Sequence, residues 1–193
     1  MIKPAEERQA DLLDAALAVY AERGIADATV SEITNRANVA KGTFYLYFES
    51  KDHVVAVLWE RYVTGFLELA GATIGNRTPQ GDWGNILASL MERLIDHALA
   101  HADLHRIVYG SADAKALALC SETNQQVIAL ITEAIQRGMT AGVLRAGNAE
   151  ILARIIYHGT HGMLHETISG IAAHDRDDVV ATVRDIVDRV LVS

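Results

Sequence analysis

Cysteine is nearly missing from this chain. Its single thiol, Cys120, can form no internal disulfide and no thiolate zinc cage, and the neighbouring Leu117 and Leu119 mark it as a small core residue in a reducing compartment. Proline is almost as scarce, with only Pro4 and Pro79, and β-branched residues fall singly within helical spacings, which excludes a β-sandwich or a collagen-like chain. No run approaches the roughly 18 to 20 apolar residues that cross a bilayer. The first ten residues carry Lys3, Glu6, Glu7 and Arg8 where a signal segment has its apolar centre, so a cytoplasmic protein without a membrane partner is expected. An excess of cations is missing too. The net charge is −8, and residues 1–52 hold six Lys/Arg against nine Asp/Glu, so any binding of nucleic acid must come from a local basic stripe.

What is present is apolar and helical. Of the 193 residues 50% are hydrophobic and 22% charged, enough for one or two domains with a sizeable core and too apolar for intrinsic disorder. The expected fold class is all-α. Over 11–23, Leu13, Ala16, Leu17 and Tyr20 recur at three- and four-residue steps, and Gly24 ends that helix. Thr29 with Glu32 makes a capping box for a second short helix over 30–37, whose inward residues are Val30, Ile33 and Ala37. Asn38 tolerates left-handed backbone and turns the chain into a third helix over 40–47. Ser50 caps a long fourth helix over 51–71, with Val54, Val55, Leu58, Trp59, Tyr62, Phe66 and Leu69 on its apolar side. A loop follows at 75–84, then helical patterns at 83–100, 103–109, 113–137, 149–169 and 175–191. The last two have broad apolar faces, either half of a four-helix bundle completed by a second copy or ordinary internal core.

The span 29–51 reads TVSEITNRANVAKGTFYLYFESK. Thr29-Val30, Glu32-Ile33, Ala37, Val39, Gly42-Thr43, Tyr45, Tyr47-Phe48 and Ser50-Lys51 match, in unbroken register, the pattern of the TetR family of transcriptional regulators, which this chain resembles. The resemblance implies a helix-turn-helix DNA-binding domain at 6–52, running on into the helix at 51–71, and a helical ligand-binding and dimerisation domain at 53–193. It also implies a homodimer that binds a palindromic operator on double-stranded DNA, usually as a repressor. In the family, a small-molecule effector in the second domain shifts the fourth helix and separates the two DNA-binding domains. Three positions depart from the pattern: Thr34 stands where alanine is usual, Asn38 where glycine is, and Val54 where leucine is. Leu46 replaces a residue that is more often polar or aromatic.

The matching residues suit contact with a duplex. Lys41 reaches guanine edges or phosphate, Gly42 lets the backbone come close, and Thr43 can hydrogen-bond or touch a thymine methyl group. Tyr45 and Tyr47 offer hydroxyls to phosphate or are partly buried. Thr29 either caps its helix or presents its hydroxyl to phosphate, and Thr34 either adds a phosphate contact or packs. Lys51 opposes the dipole at its own helix start, which a nearby phosphate would explain better than local stability does. Phe44 and Phe48, four apart, anchor the third helix. The cations of the span are Arg36, Lys41 and Lys51, against Glu32 and Glu49.

His97, His101 and His105, and again His158, His161 and His165, recur at helical spacing with Glu166 beside the second set. They either line a helix interface or pocket, or approach a metal site, which would suit an all-helical metal-dependent or hydrolytic enzyme instead. No catalytic motif accompanies them, so neither catalytic residue, metal nor cofactor is expected. For the effector, Trp83, Met91, Tyr109, Tyr157, His161 and Met163 are candidate pocket residues, each of which could equally be core; their mix suits a mainly hydrophobic or aromatic molecule.

Overall fold

In the computed structural model, which describes residues 3–74, 82–111 and 114–192, the helical spacings become nine helices: α1 (Ala5–Asp27), α2 (Val30–Arg36), α3 (Lys41–Phe44), α4 (Lys51–Ile74), α5 (Trp83–Ala100), α6 (Ala102–Ser111), α7 (Ala114–Thr140), α8 (Ala149–Ile168) and α9 (Arg176–Ile186). A π-helical turn, Val187–Leu191, extends α9, and Leu144 pairs with Val192 in an isolated β-bridge. Most of the loop expected at 75–84, namely 75–81, lies outside the described residues.

The ends of the helices differ from expectation in ways local chemistry explains. Pro4 stands at the N-cap of α1, and Glu6 and Glu7 in its first turn favour the helix dipole, so α1 starts six residues before the amphipathic stripe. Gly24 leaves the helix at φ 77°, but a further turn follows before Ala28. Asn38 turns the chain at φ 54°, the left-handed geometry its side chain allows. α3 covers four residues rather than eight; beyond Phe44 the chain continues in tight turns, Leu46 N–H donating to Thr43 at 3.2 Å and Tyr47 N–H to Phe44 at 3.0 Å.

The chain divides into two compact units. The first takes Met1–Tyr62 with Asp103–Ser121, the second Val63–Ala102 with Glu122–Ser193. Within the first unit, ring contacts tie α6 to the first half of α4: His105 meets Trp59 edge-on at 4.9 Å and Tyr62 at 5.0 Å, and its Nε2 lies 2.9 Å from the Tyr62 hydroxyl. Burial raises the Tyr62 phenol above its usual range. Cys120 is buried in the first unit, as its neighbours suggested, and burial pushes its thiol up to about 12.

In the second unit α5 is the central element. It buries Trp83, Ile86, Leu87, Leu90, Met91 and Ile95 and packs against α8 and α9. Arg176 pins the start of α9 to α5, reaching Asp96 at 2.7 Å and Glu92 at 3.0 Å, while Arg184 donates to Asn85 at 3.1 Å.

Candidate nucleic-acid interface

The short helices α2 and α3 are set by caps and by two buried rings. The Thr29 hydroxyl oxygen accepts from Glu32 N–H at 3.2 Å, and the Glu32 carboxylate accepts from Thr29 N–H at 2.9 Å and from its hydroxyl at 2.8 Å. The capping box is complete, and these bonds, led by that from the Thr29 hydroxyl, hold the Glu32 carboxyl below its usual range. Phe44 and Phe48 are fully buried with ring centres 5.4 Å apart, so the α3 segment presents a fixed outer face. Thr34 is 1% exposed and donates to Val30 O at 3.0 Å, so it packs, and the phosphate alternative falls.

The outer face carries the residues expected from the sequence. Lys41, Gly42, Tyr45 and Leu46 are exposed, Thr43 and Tyr47 are half-buried, and Thr29 is exposed at the start of α2. A Cβ built on Gly42 meets nothing within 4 Å, and its backbone is not left-handed, so nothing inside the fold demands glycine there. Its missing side chain leaves room only for something outside.

Lys51 requires a correction. Its Nζ reaches back to the end of α1 and donates to the carbonyl oxygens of Ile25 at 2.6 Å, Ala26 at 2.9 Å and Ala28 at 2.7 Å. A cation at a helix C-terminus is favourable, so its placement has an internal cause and needs no phosphate. Tyr20 strengthens the same junction, its buried hydroxyl donating to Lys51 O at 3.3 Å. Arg36 is likewise engaged, with Glu22 at 2.6 Å. Of the three cations counted on this span, Lys41 is the one left exposed and outside any ion pair among the described residues.

The candidate effector residues are divided between the two units. Tyr109 belongs to the first unit, edge-on to Trp59 at 5.5 Å. Trp83, Met91 and Tyr157 are buried in the second, with the Arg137 guanidinium 5.9 Å from the Trp83 ring and His161 stacked on Tyr157 at 5.6 Å; Met163 is half-buried. A described groove of about 590 Å³ in this unit is walled by other residues, among them Ile128, Thr132, Gln136, Arg137 and Arg154. The first histidine set is broken: His97 lies on α5, His101 caps its end and His105 is on α6. Among the described residues no group of three or more His, Cys, Asp or Glu side chains could hold a metal ion. Nor, among them, is any helix long and apolar enough to cross a membrane.

Comparison with known proteins agrees with this architecture. Residues 12–58 match the family model described as bacterial regulatory proteins, tetR family. The uncharacterized HTH-type transcriptional regulator YvdT of Bacillus subtilis is 30% identical over 110 residues, 56% of this chain and 55% of that protein. The fatty acid metabolism regulator protein of the same organism is 25% identical over 190 residues, 97% of this chain and 95% of that protein. Among solved structures, FadR of Bacillus subtilis in complex with stearoyl-CoA superposes with a TM-score of 0.78 at 21% identity, covering 92% of this chain and 96% of that one. Over residues 12–58, which hold the capped α2 and the anchored α3, the chain is thus similar to the bacterial regulatory proteins of the tetR family, and along its length it shares the helical fold of the FadR structure.

Proposed function

We propose that the chain binds double-stranded DNA as a homodimer, seating two copies of α3 in successive major grooves of a palindromic operator as a repressor, and that a small-molecule effector releases it. The observation that carries the reading is the outer face of α3: Lys41, Gly42 and Tyr45 stand exposed on a segment whose other side is locked by Phe44 and Phe48. Lys41 and Thr43 meet base edges or phosphate, Thr29, Tyr45 and Tyr47 supply hydroxyls to the backbone, and Gly42 permits close approach. Lys51 acts at one remove, by joining α1 to α4. A cytoplasmic location follows from such a target.

The second copy docks on α8 and α9. Ile151 and Ile155 on α8, and Ile186 and Val190 at the end of the chain, are exposed at four-residue spacing. One and two turns past Ile155, a Cβ added at Gly159 or Gly162 meets nothing within 4 Å, which leaves space for a helix from outside. Such a face suits a four-helix bundle shared between copies.

A fatty acyl thioester is the effector class to test first, because the relative matching along 97% of the chain is a fatty acid metabolism regulator and the FadR structure holds stearoyl-CoA. Release requires that the effector bind the DNA-incompetent state better than the DNA-bound one. The test is fluorescence anisotropy of a labelled duplex from the gene's upstream region beside a scrambled duplex, at two salt concentrations, followed by addition of stearoyl-CoA. Specific binding by two chains, weakened by salt and reversed by the thioester, supports the reading. Equal affinity for both duplexes, repeated across a random duplex library, overturns DNA recognition; tight thioester binding with unchanged operator affinity overturns release.

A further inference from the structure

Leu46 is the most exposed large apolar side chain among the described residues, at 79%, and it sits on the outer face of the α3 segment. An apolar side chain in water gains nothing from the fold, and nothing in the local geometry calls for leucine. Its N–H donates to Thr43 O at 3.2 Å, so a tight turn sets Leu46 three positions past Thr43, just beyond the end of α3. With no side chain at Gly42 and open space around its Cα, Leu46 is unscreened at the end of the segment expected to enter the groove. Tyr45, 58% exposed beside it, carries a hydroxyl, whereas Leu46 has no polar atom to offer phosphate or a base hydrogen bond.

The one apolar group on the major-groove edge of a base pair is the 5-methyl of thymine. We infer that Leu46 is a specificity-determining residue that packs against a thymine methyl in each half-site, so that the operator carries a T·A pair there by apolar contact. This inference rests on the DNA-binding reading above. It adds that the sequence preference is partly hydrophobic, which suits a segment whose cations are mostly engaged internally.

The test begins with selection from a random duplex library by the full chain, followed by replacement of each thymine of the selected site by deoxyuridine, which removes only the methyl. The wild-type chain is expected to lose about fourfold in affinity at one thymine per half-site, the worth of one buried methyl. Leu46→Ala should bind the selected duplex about tenfold more weakly and show no uracil penalty at that position, whereas Thr43→Ser should keep the penalty. Uracil tolerated at every position, or a penalty that persists in Leu46→Ala or vanishes in Thr43→Ser, overturns the role of Leu46 while leaving DNA binding intact. Selection of no duplex overturns the DNA-binding reading itself, and this inference with it.

Discussion

Lys51 and Ile25, 26 residues apart, are joined by a 2.6 Å hydrogen bond from the lysine ammonium to the isoleucine carbonyl oxygen. Two further carbonyls, of Ala26 and Ala28, accept from the same ammonium, so one side chain at the start of α4 closes the end of α1. Lys51→Met is expected to lower stability by roughly 2 kcal/mol, since hydrogen bonds to a charged group are lost and part-buried carbonyls are left unsatisfied. Lys41→Met should leave stability unchanged but weaken operator binding and lower the salt dependence by about one counterion per chain. Chemical denaturation and anisotropy, run on both variants, separate the two lysines. Equal stability losses would show that Lys51 does not serve as the clamp.

Gly138 is required by packing. A Cβ there would lie 2.5 Å from Leu144 Cδ1 and 3.0 Å from Trp83 Cβ, against the bridge that ties 144 to 192. Alanine would gain about 1 kcal/mol in helix propensity but cost about 1 to 3 kcal/mol in overpacking. Gly138→Ala should therefore lower Tm, and a raised Tm in a thermal melt would show that Leu144 gives way freely.

Stability should fall in mild acid through His161. Burial, then the charges of His165 and His158, pushes it down from 6.5 to about 4. Between those values the unfolded chain holds a proton that the folded chain refuses, so the contribution of His161 is complete above about pH 6.5 and is lost as pH falls toward 4. At pH 5 the loss is about 2 kcal/mol. Denaturation of the wild type and of His161→Gln at pH 7.5 and pH 5 measures it; an unaltered pH slope in the variant would assign the acid sensitivity to other groups.

Ile155→Asp should give a monomer. The side chain is exposed on α8, so the folded chain tolerates the charge, while a bundle shared between copies does not. Sedimentation velocity at micromolar concentration is the measurement, with loss of operator affinity expected in parallel because two half-sites can no longer be held at once. A variant that still sediments as a dimer would move the interface to another face.

Much of this was legible in the residues themselves, and what was legible is local. The capping box at Thr29 and Glu32, the left-handed turn at Asn38, the Ser50 cap and the buried pair Phe44 and Phe48 each depend on groups within a few positions of one another, where spacing and stereochemistry decide the geometry. The family pattern lies in the same stretch. The tertiary structure alone decided matters that depend on distant partners. It assigned Lys51 to the end of α1 and turned Thr34 inward. It also drew α6 to the first half of α4 through His105 and Tyr62. A side chain's local pattern says which face it occupies; whether its polar atoms go to solvent, a ligand or a carbonyl 26 residues away is settled only when the helices pack and every buried donor must find an acceptor.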